Sequence, residues 1–428
     1  MAILAIILFI SIFLLVLYGY PVAFTLGGLS LVYAICFLDA SVLTLLPNRV
    51  MGVMENSVLL AVPLFIFMGI MLEKSGLAER MLRTMSELFG RVRGGMAVSV
   101  IIVGALLAAS TGIVGATVVT MGLISLPPML KKGYAPGIAT GVIAASGTLG
   151  QIIPPSVVLV LLGSVLGVSV GKLFAAALVP SMMLVGAYVA YVLLLGIVKP
   201  SALPPGEAGA IIWDRNLLVR LIKSLFLPLL LIIAVLGSIL AGWASPTEAA
   251  AIGAAGAIVL TLGQGKLDWA TTKLVCQETT HLTAMVFMIL LGATTFSLVF
   301  REMGGDSFLV QLIERSDLGE YQFLFLVMVV VFVAGFFIDF IEIVFIIVPV
   351  VTPLFVGYGT DLIWLGILLG INLQTSFLSP PFGFALFYLK GVAPPEVKTA
   401  HLYRGIVPFL IIQVILMTIV VFFPEWIL

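Results

Sequence analysis

Two apolar stretches of this chain, GVIAASGTLGQIIPPSVVLV at 141–160 and NLQTSFLSPPFGFALF at 372–387, are each interrupted at the centre by polar residues and a Pro-Pro pair. Consecutive prolines remove two backbone N–H donors, so the carbonyl groups before them lose their helical partners. Such backbone is tolerated inside a bilayer only where it is buried in protein or lines a wet cavity. Each stretch is therefore predicted to be a membrane helix that is broken at its centre.

The composition supports a membrane setting. Of 428 residues, 62% are hydrophobic and 9% are charged, whereas soluble domains carry roughly 25% charged residues. So large an apolar fraction is accommodated when the lipid bilayer is itself the surrounding solvent. The net charge is zero, and nothing in the charge pattern indicates nucleic acid as a partner. Two cysteines without paired spacing indicate neither a disulfide framework nor a metal cluster.

Helical spans are predicted over most of the chain, because a transmembrane helix needs about 20 apolar residues. The two broken helices are predicted over 134–165 and 361–390. Eight further stretches are predicted to be simple spans: 2–19, 21–38, 58–73, 172–198, 224–243, 247–264, 277–300 and 405–424.

Two longer apolar stretches do not fit a single span. Residues 95–130 carry Ser110-Thr111-Gly112 near their centre, and residues 321–357 carry Asp339 and Glu342. Each is predicted to form a re-entrant hairpin that enters and leaves the bilayer on the same side. The expected fold is thus an all-α polytopic membrane protein with about ten spanning helices, two of them discontinuous, and two hairpins.

The distribution of basic residues supports this topology. With the N-terminus outside, Arg49, Lys172, Arg301 and Arg315 are the basic residues that fall outside, and the other sixteen of the 20 face the cytoplasm. Such a bias is what the positive-inside rule requires. If either hairpin crossed the bilayer, every later segment would be inverted and the asymmetry would be lost. Both termini are therefore expected on the outer side.

The two halves of the chain repeat at a constant offset of 226 residues. Because the two hairpins start from opposite sides, the repeats are inverted in the membrane. Inverted repeats with discontinuous helices are typical of secondary transporters. At the same offset, Ile113 falls on Asp339. The residues that match are Pro127 with Pro353, Gly133 with Gly359, Pro154 with Pro380 and Pro155 with Pro381.

Asp339 and Glu342 lie in the middle of the second hairpin, in GFFIDFIEIVF. Ionisable side chains at this depth are costly and usually functional, and their i, i+3 spacing places both on one helix face. One carboxylate can help to hold a cation while the other pairs with it or takes a proton. The alternative interpretation is a structural acid that nearby backbone N–H groups satisfy.

Hydroxyl and amide oxygens occupy the other interruptions, and oxygen donors suit a hard cation such as Na⁺. Small residues are also common where membrane helices pack closely, so packing is the competing interpretation. The candidate donors are Ser110, Thr111 and Thr117 at the first hairpin tip, Ser146, Thr148 and Ser156 at the first break, and Asn372, Gln374, Thr375, Ser376 and Ser379 at the second break.

No sequence pattern indicates an enzyme. The two histidines, His281 and His401, belong neither to an HExxH zinc motif nor to a Ser/His/Asp set at membrane depth. The Gly-rich segment 141–150 lacks the Lys-Ser/Thr of a phosphate-binding loop, so no ATP-driven mechanism is supported. An intramembrane enzyme and a channel-like structural subunit remain as alternatives to a transporter.

Three segments carry a resemblance to a known family: LLAVPLFIFMGIMLEKSGLAERM at 59–81, GVIAASGTLGQIIPPSVVLVLLGSVLGVSVGKLFAAALVP at 141–180 and FIDFIEIVFIIVPVVTPLF at 337–355. The chain resembles the large membrane subunit of TRAP (tripartite ATP-independent periplasmic) transporters, in the ion transporter superfamily. The resemblance implies an elevator-type carrier that imports a small organic anion, such as a C4-dicarboxylate, keto acid or sugar acid. Na⁺ is the implied coupling ion, and no other cofactor is implied. A stand-alone sodium/carboxylate symporter of the same superfamily is the nearest alternative.

The resemblance also implies partners and a location. A periplasmic binding protein would deliver the anion, and a small four-helix membrane subunit would pack on the scaffold in the bacterial inner membrane. Because no further helices precede residue 1, the small subunit is expected to be a separate chain. The implied division is scaffold helices at 1–72, 166–300 and 391–428, amphipathic arm helices at 73–94 and 301–320, and transport halves at 95–165 and 321–390.

In the family, sodium sites lie between each hairpin tip and the facing helix break. Carried over by position, Asp339 is the acid of the second hairpin. Glu342 departs from the family, in which many members have a small residue at this position, and leaves room for a proton-linked step. The implied sodium positions are Ser110, Thr111, Gly112, Gly115, Thr117, Ser146, Gly147, Gly150, Gly335, Asp339, Glu342, Thr375, Ser376, Ser379 and Pro380. The implied substrate positions are Thr148, Pro154, Pro155, Ser156 and Pro381.

Overall fold

The computed structural model describes residues 1–112, 114–206, 219–316 and 318–427. Within these ranges the chain forms helices, short 3₁₀ turns and loops, and contains no β-strand. Side chains are described throughout these ranges except those of Ala2, Ala40, Ser110, Thr111, Lys223 and residues 312–316. Ile113, which the repeat matches to Asp339, and the side chain of Arg315 therefore lie outside the described part.

The first half of the chain supplies three simple spans, a hairpin, a broken helix and a long fourth span. The helices are α1 (Ala2–Leu17), α2 (Val22–Phe37), α3 (Ala40–Leu43), α4 (Leu46–Met54), α5 (Ala61–Lys74), α6 (Leu77–Leu88), α7 (Gly95–Thr111), α8 (Val114–Lys131), α9 (Pro136–Thr148), α10 (Val157–Leu166) and α11 (Val170–Val198).

The second half runs through the same series. Its helices are α12 (Val219–Leu240), α13 (Pro246–Gly263), α14 (Trp269–Glu302), α15 (Gly305–Ser316), α16 (Glu320–Ala334), α17 (Phe340–Ile346), α18 (Val348–Tyr358), α19 (Leu362–Leu378), α20 (Phe384–Val392) and α21 (Thr399–Phe422).

The predicted spans all coincide with helices, which confirms the all-α membrane fold. In the described part of the chain, seven helices are long and apolar enough to cross a bilayer, and an eighth is counted if the bent pair α17–α18 forms one span. The first two predicted spans are shorter apolar helices. The predicted span 277–300 is the apolar part of the longer helix α14, whose first two turns are polar and outside the apolar window.

Both hairpins close at their base, as re-entrant hairpins must. In the first, Gly95 at the start of α7 and Tyr134 just after α8 line one small cavity. In the second, the Tyr358 hydroxyl at the end of α18 donates to the Leu318 carbonyl before α16, at 2.8 Å. The second hairpin also bends by 53° between α17 and α18, a break that the sequence did not predict.

The repeat extends beyond the hairpins and broken helices on which it was recognised. Adding 226 to the bounds of α6, 77–88, gives 303–314, close to α15. The same operation carries α1 onto α12, α2 onto α13, α4–α5 onto α14, and α11 onto α21. Each repeat then contains five crossings, namely its first two helices, its third span, its broken helix and its last helix. An odd number of crossings inverts the second repeat relative to the first.

The first arm helix begins later than its predicted bound of 73. Gly76, with φ of +70°, separates α5 from α6, so Glu73 and Lys74 end the spanning helix α5 instead. Its apolar face, which includes Leu77, Met81 and Met85, is buried inside the protein. The arm therefore packs on the hairpin helix α7 with its apolar face.

Candidate functional site

Each hairpin tip packs closely against the break of the helix that follows it. A Cβ atom at Gly150, in the first break, would overlap the carbonyl oxygen of Ala108 near the end of α7. A Cβ atom at Gly335, just after α16, would overlap the hydroxyl of Ser376 in the second break. Because Gly150 and Ser376 are 226 residues apart, the contact is the same in both repeats. The predicted juxtaposition of tip and break is therefore present twice.

The first break joins α9 to α10 through a 3₁₀ turn and the cis peptide bond Pro154-Pro155. Ser146 and Thr148 donate their hydroxyl protons to carbonyls three residues earlier, at 3.1 and 3.0 Å. Ser156 donates to the Gln151 carbonyl at 2.8 Å. All these side chains are fully buried. Both amide atoms of Gln151 lack a hydrogen-bond partner among the described residues.

The second break joins α19 to α20 and contains the cis peptide bond Pro380-Pro381. The hydroxyls of Thr375, Ser376 and Ser379 donate to carbonyls of α19 at 2.7–2.8 Å. Asn372 donates to a carbonyl of α16 at 2.8 Å. Gln374 is fully buried, and neither of its amide atoms has a partner within the described ranges.

These breaks present oxygen lone pairs in a dry environment. A hydroxyl that has given its proton to a carbonyl keeps lone pairs that can accept a proton or coordinate a cation. Buried amides without partners are rare in native proteins and usually have an ion, a water or a function to account for them. Hydroxyl, amide and carbonyl oxygens are the ligands that hard cations prefer. The residues present therefore fit a Na⁺ ion at either break.

Asp339 and Glu342 cap the helix that follows the second tip. Asp339 is the N-cap of α17, and its Oδ1 accepts from the Phe340 N–H at 2.7 Å. The Glu342 carboxylate accepts from the Asp339 N–H at 3.1 Å. Both side chains are half-buried. The structural role considered from the sequence is thus present, and it leaves the other carboxylate oxygens available.

A cavity of about 570 Å³ lies where both tips and both breaks meet the scaffold helices α5 and α14. It is called the Lys74 cavity here. All four helices that start at the tips and breaks have their first residue on its wall, namely Val114 of α8, Val157 of α10, Phe340 of α17 and Phe384 of α20. Helix N-termini carry partial positive charge and favour anions. The polar side chains on the wall are Glu73, Lys74, Thr120, Glu278, Asp339 and Tyr388.

Two polar contacts on this wall join segments far apart in the sequence. Lys74 Nζ lies 3.1 Å from Glu278 Oε1, which links the end of α5 to the third turn of α14. The Thr120 hydroxyl donates to Glu73 Oε1 at 2.8 Å, which links the hairpin helix α8 to the scaffold helix α5. Sequence reasoning missed these four residues as a group. Their signal was weak, since charges at helix ends are common and Thr120 lies outside the tip.

The residues predicted to bind sodium at the first tip and its facing break differ in their location. Gly112 ends α7 with φ of +62°, and Gly115 on α8 lines the Lys74 cavity. Thr117 is buried on α8, and Gly147 packs against α8, where an added Cβ would meet Val118. The side chains of Ser110 and Thr111 lie outside the described part of the chain.

The residues implied for substrate binding lie near the Lys74 cavity without lining it. Thr148, Pro154, Pro155 and Ser156 are buried, whereas Val157, which follows Ser156 in the chain, does line it. Pro381 is exposed, and its carbonyl accepts from the Tyr403 hydroxyl at 2.7 Å. Pro380 is half-buried beside it. The wall at the second break is formed by the apolar neighbours Phe377 and Phe384.

With this geometry in place, comparison with known proteins decides the family. Residues 9–426 match the family model described as "Tripartite ATP-independent periplasmic transporter, DctM component". This chain belongs to that family. It is therefore a multi-pass membrane protein of the large-permease type and a permease rather than an enzyme.

Several curated TRAP permeases are similar over nearly their whole length. The C4-dicarboxylate TRAP transporter large permease protein DctM of Pseudomonas aeruginosa is 30% identical over 86% of this chain and 85% of its own. The DctM protein of Vibrio cholerae is 28% identical over 97% and 95%. The sialic acid TRAP transporter large permease protein SiaM of the same organism is 28% identical over 95% and 94%.

One solved structure shares the overall fold. The crystal structure of the YdaH transporter of Alcanivorax borkumensis, described as having an unusual topology, aligns with a TM-score of 0.66. The alignment covers 97% of this chain and 98% of that one at 15% sequence identity. At this identity the likeness concerns the fold alone.

Proposed function

We propose that this chain is the membrane permease of a sodium-coupled, binding-protein-dependent secondary transporter that imports a small organic anion. The observation that carries the proposal is the Lys74 cavity, which four helix N-termini face at the place where the hairpin tips and the helix breaks, with their buried oxygen donors, meet the scaffold. Oxygen donors suit Na⁺, and helix N-termini suit a carboxylate. Membership of a tripartite transporter family supports a role with two partner proteins.

Sodium binding would prepare the site for the anion. A carboxylate entering a cavity of low polarity loses hydration, and Asp339 adds a negative charge to the wall. A cation at the neighbouring break offsets both effects, because opposite charges attract strongly where the dielectric constant is low. Anion binding is then expected to depend on Na⁺. This dependence is the basis of coupling.

Transport is proposed to proceed by an elevator movement. The hairpins and broken helices, 95–165 and 321–390, would move together against the scaffold. The Thr120–Glu73 hydrogen bond crosses this boundary and would break in each cycle. With the bacterial inner membrane as location and both termini periplasmic, the Lys74 cavity opens to the cytoplasm, because the ends of α5 and α8 with Lys74 and Lys131 lie on that side.

The proposal is tested by reconstitution with the binding protein and the small membrane subunit in proteoliposomes. Uptake of a radiolabelled C4-dicarboxylate, a keto acid and a sugar acid is compared under inward gradients of Na⁺ and of K⁺. We expect accumulation of one of these anions with the Na⁺ gradient alone. Accumulation that is equal in sodium-free vesicles would refute sodium coupling.

The alternative of a stand-alone sodium/carboxylate symporter is favoured by the substrate-sized cavity within this single chain. The same vesicles separate the two ideas. A tripartite transporter takes up the anion only when the binding protein is present, whereas a stand-alone symporter takes it up without any partner.

A further inference from the structure

A second cavity, of about 800 Å³, lies on the opposite side of the fold. It is called the Arg49 cavity here. Its walls are the scaffold helices α4 and α14, the end of α10, and the second hairpin through α17 and α18. The polar residues on its wall include Arg49, Asn56, Ser164, Thr294, Ser297 and Arg301.

The Arg49 cavity is the repeat-related counterpart of the Lys74 cavity. Its wall contains Gly52, Asn56 and Leu59, and adding 226 to these numbers gives 278, 282 and 285. Glu278, Leu282 and Met285 are all on the wall of the Lys74 cavity. In an inverted repeat, related cavities face opposite sides of the membrane. The two are therefore the outer and inner approaches to the same tips and breaks.

The two cavities carry opposite charge. Among the described residues, the charged side chains on the Arg49 cavity are Arg49 and Arg301, and no acid lines it. The Lys74 cavity instead has three acids and one base on its wall. The walls of the two cavities are related by the repeat but differ in the sign of their charge. The fold itself does not require this difference.

The two arginines differ in how firmly they are held. Arg49 is exposed, and no described residue forms an ion pair or hydrogen bond with its guanidinium. Arg301 Nε lies 3.1 Å from Asp306 Oδ2, and Asp306 is not on the cavity wall. One face of α14 carries Thr294, Ser297 and Arg301 at spacings of three and four residues. The two hydroxyl groups therefore lie in a row along the cavity wall, next to the Arg301 guanidinium.

The positive-inside bias makes these arginines unusual. Of the 20 basic residues, four are predicted on the outer side, and two of those four line this one cavity. The positive-inside rule disfavours basic residues on the outer side of the membrane. Two guanidinium groups retained there at the mouth of a polar cavity fit recognition of a carboxylate, which arginine binds through parallel hydrogen bonds.

We propose that the Arg49 cavity is a receiving site for carboxylates, in which Arg49 and Arg301 take up the organic anion before it reaches the hairpin tips. Once Na⁺ has left, the inner cavity, with its excess of acids, repels the same anion and favours its departure. A charged cleft raises the local concentration of the opposite charge and speeds its arrival. The role in transport rests on the proposed function above, but the anion site itself can be measured without transport.

The test measures the local potential with charged thiol reagents in detergent, without partner proteins. In a background with Cys36→Ser and Cys276→Ser, Ser297→Cys reports on the Arg49 cavity and Met285→Cys on the Lys74 cavity. For each cysteine, the rate constant for modification by the anionic 2-sulfonatoethyl methanethiosulfonate is divided by that for the cationic 2-(trimethylammonium)ethyl methanethiosulfonate. The quotient cancels changes in thiol reactivity, since both reagents attack the same thiolate.

The quotient of anionic to cationic rate is expected to be higher at Ser297→Cys than at Met285→Cys. Adding Arg49→Gln should lower it at Ser297→Cys by about threefold or more at low ionic strength, as a focused charge would. Arg301→Gln combined with Asp306→Asn tests the second arginine without leaving an unpaired acid. Lys172→Gln is the matched control, because Lys172 is exposed on the same predicted side but does not line the cavity.

Carboxylate binding is measured in the same samples. Succinate at tens of millimolar should slow modification of Ser297→Cys relative to sodium chloride of equal ionic strength, and Arg49→Gln should remove that protection. Unchanged quotients in the arginine variants, an equal fall in Lys172→Gln, or no protection by succinate would each overturn the proposal. None of these outcomes depends on Na⁺ coupling, so they leave the proposed function to its own test.

Discussion

At the scale of single residues, Asp339 combines a structural contact with a place on the cavity wall. Asparagine is also a good N-cap, so Asp339→Asn keeps the cap and removes the charge. We expect near-normal thermal stability and at least about tenfold weaker sodium-dependent uptake, since contacts to charged groups contribute about 1.5–3 kcal/mol. Asp339→Ala should in addition lose about 1 kcal/mol of stability with the cap. Uptake and thermal unfolding of both variants check this, and full uptake by Asp339→Asn would contradict it.

Glycine is required at position 150 because there is no space for a side chain, not because of its backbone φ and ψ angles. Gly150→Ala should push the first tip away from its break, because the new methyl overlaps the Ala108 carbonyl. Overpacking of this kind typically costs 1–3 kcal/mol, and we expect transport to be lost with part of the stability. Gly186→Ala is the control, because a Cβ at this exposed position of α11 meets nothing within 4 Å. Equal transport activity of the two variants would contradict this expectation, because it would show that the first tip can accommodate a methyl group at position 150.

The sequence predicted which types of residue meet at the breaks but not all of those that matter. Asp339 stands out because ionisable groups are rare in apolar segments. Gln151 and Glu73 do not stand out, because the feature that distinguishes them is a property of the folded chain. Gln151 is notable for being buried without a partner, and Glu73 for its contact with Thr120, 47 residues away. Such pairings depend on tertiary packing, which no local pattern encodes.

At the scale of elements, the hydrogen bond between α8 and α5 joins the parts that must separate in an elevator. Thr120→Val removes the donor with little change in side-chain shape, whereas Thr120→Ser retains it. A hydrogen bond to a carboxylate contributes about 1.5–3 kcal/mol, equivalent to roughly a tenfold to hundredfold change in an equilibrium. If leaving this state limits turnover, we expect Thr120→Val to raise the maximal uptake rate by up to that factor and Thr120→Ser to leave it unchanged. A rate lowered in Thr120→Val alone would contradict a restraining role.

Element boundaries were predicted best where hydrophobicity defines them. The apolar window at 277–300 missed the polar first turns of α14, which starts at Trp269. The bend between α17 and α18 was missed although Pro349, the second residue of α18, marks it, because the prediction did not treat a single proline within a long apolar run as a break. By contrast, Pro154-Pro155 and Pro380-Pro381 predicted both breaks, since proline chemistry acts locally.

At the scale of the whole molecule, five crossings per repeat place both termini on one side of the membrane. The positive-inside bias predicts that this side is the periplasm. A C-terminal alkaline phosphatase fusion should therefore be active, and a C-terminal green fluorescent protein fusion should be dark when exported unfolded. The same pair of reporters at the N-terminus should behave alike. Termini on opposite sides would contradict the crossing count, and two cytoplasmic termini would exchange the sides of the Arg49 and Lys74 cavities.

In the proposed mechanism, one site couples Na⁺ to the organic anion. The most direct measurement follows ²²Na⁺ and radiolabelled anion entering the same proteoliposomes, with partner proteins present and the membrane potential clamped. We predict that each flux depends on the presence of the other solute, and that Asp339→Asn reduces both in parallel. Anion accumulation without anion-dependent ²²Na⁺ entry, with wild-type protein, would contradict the claim.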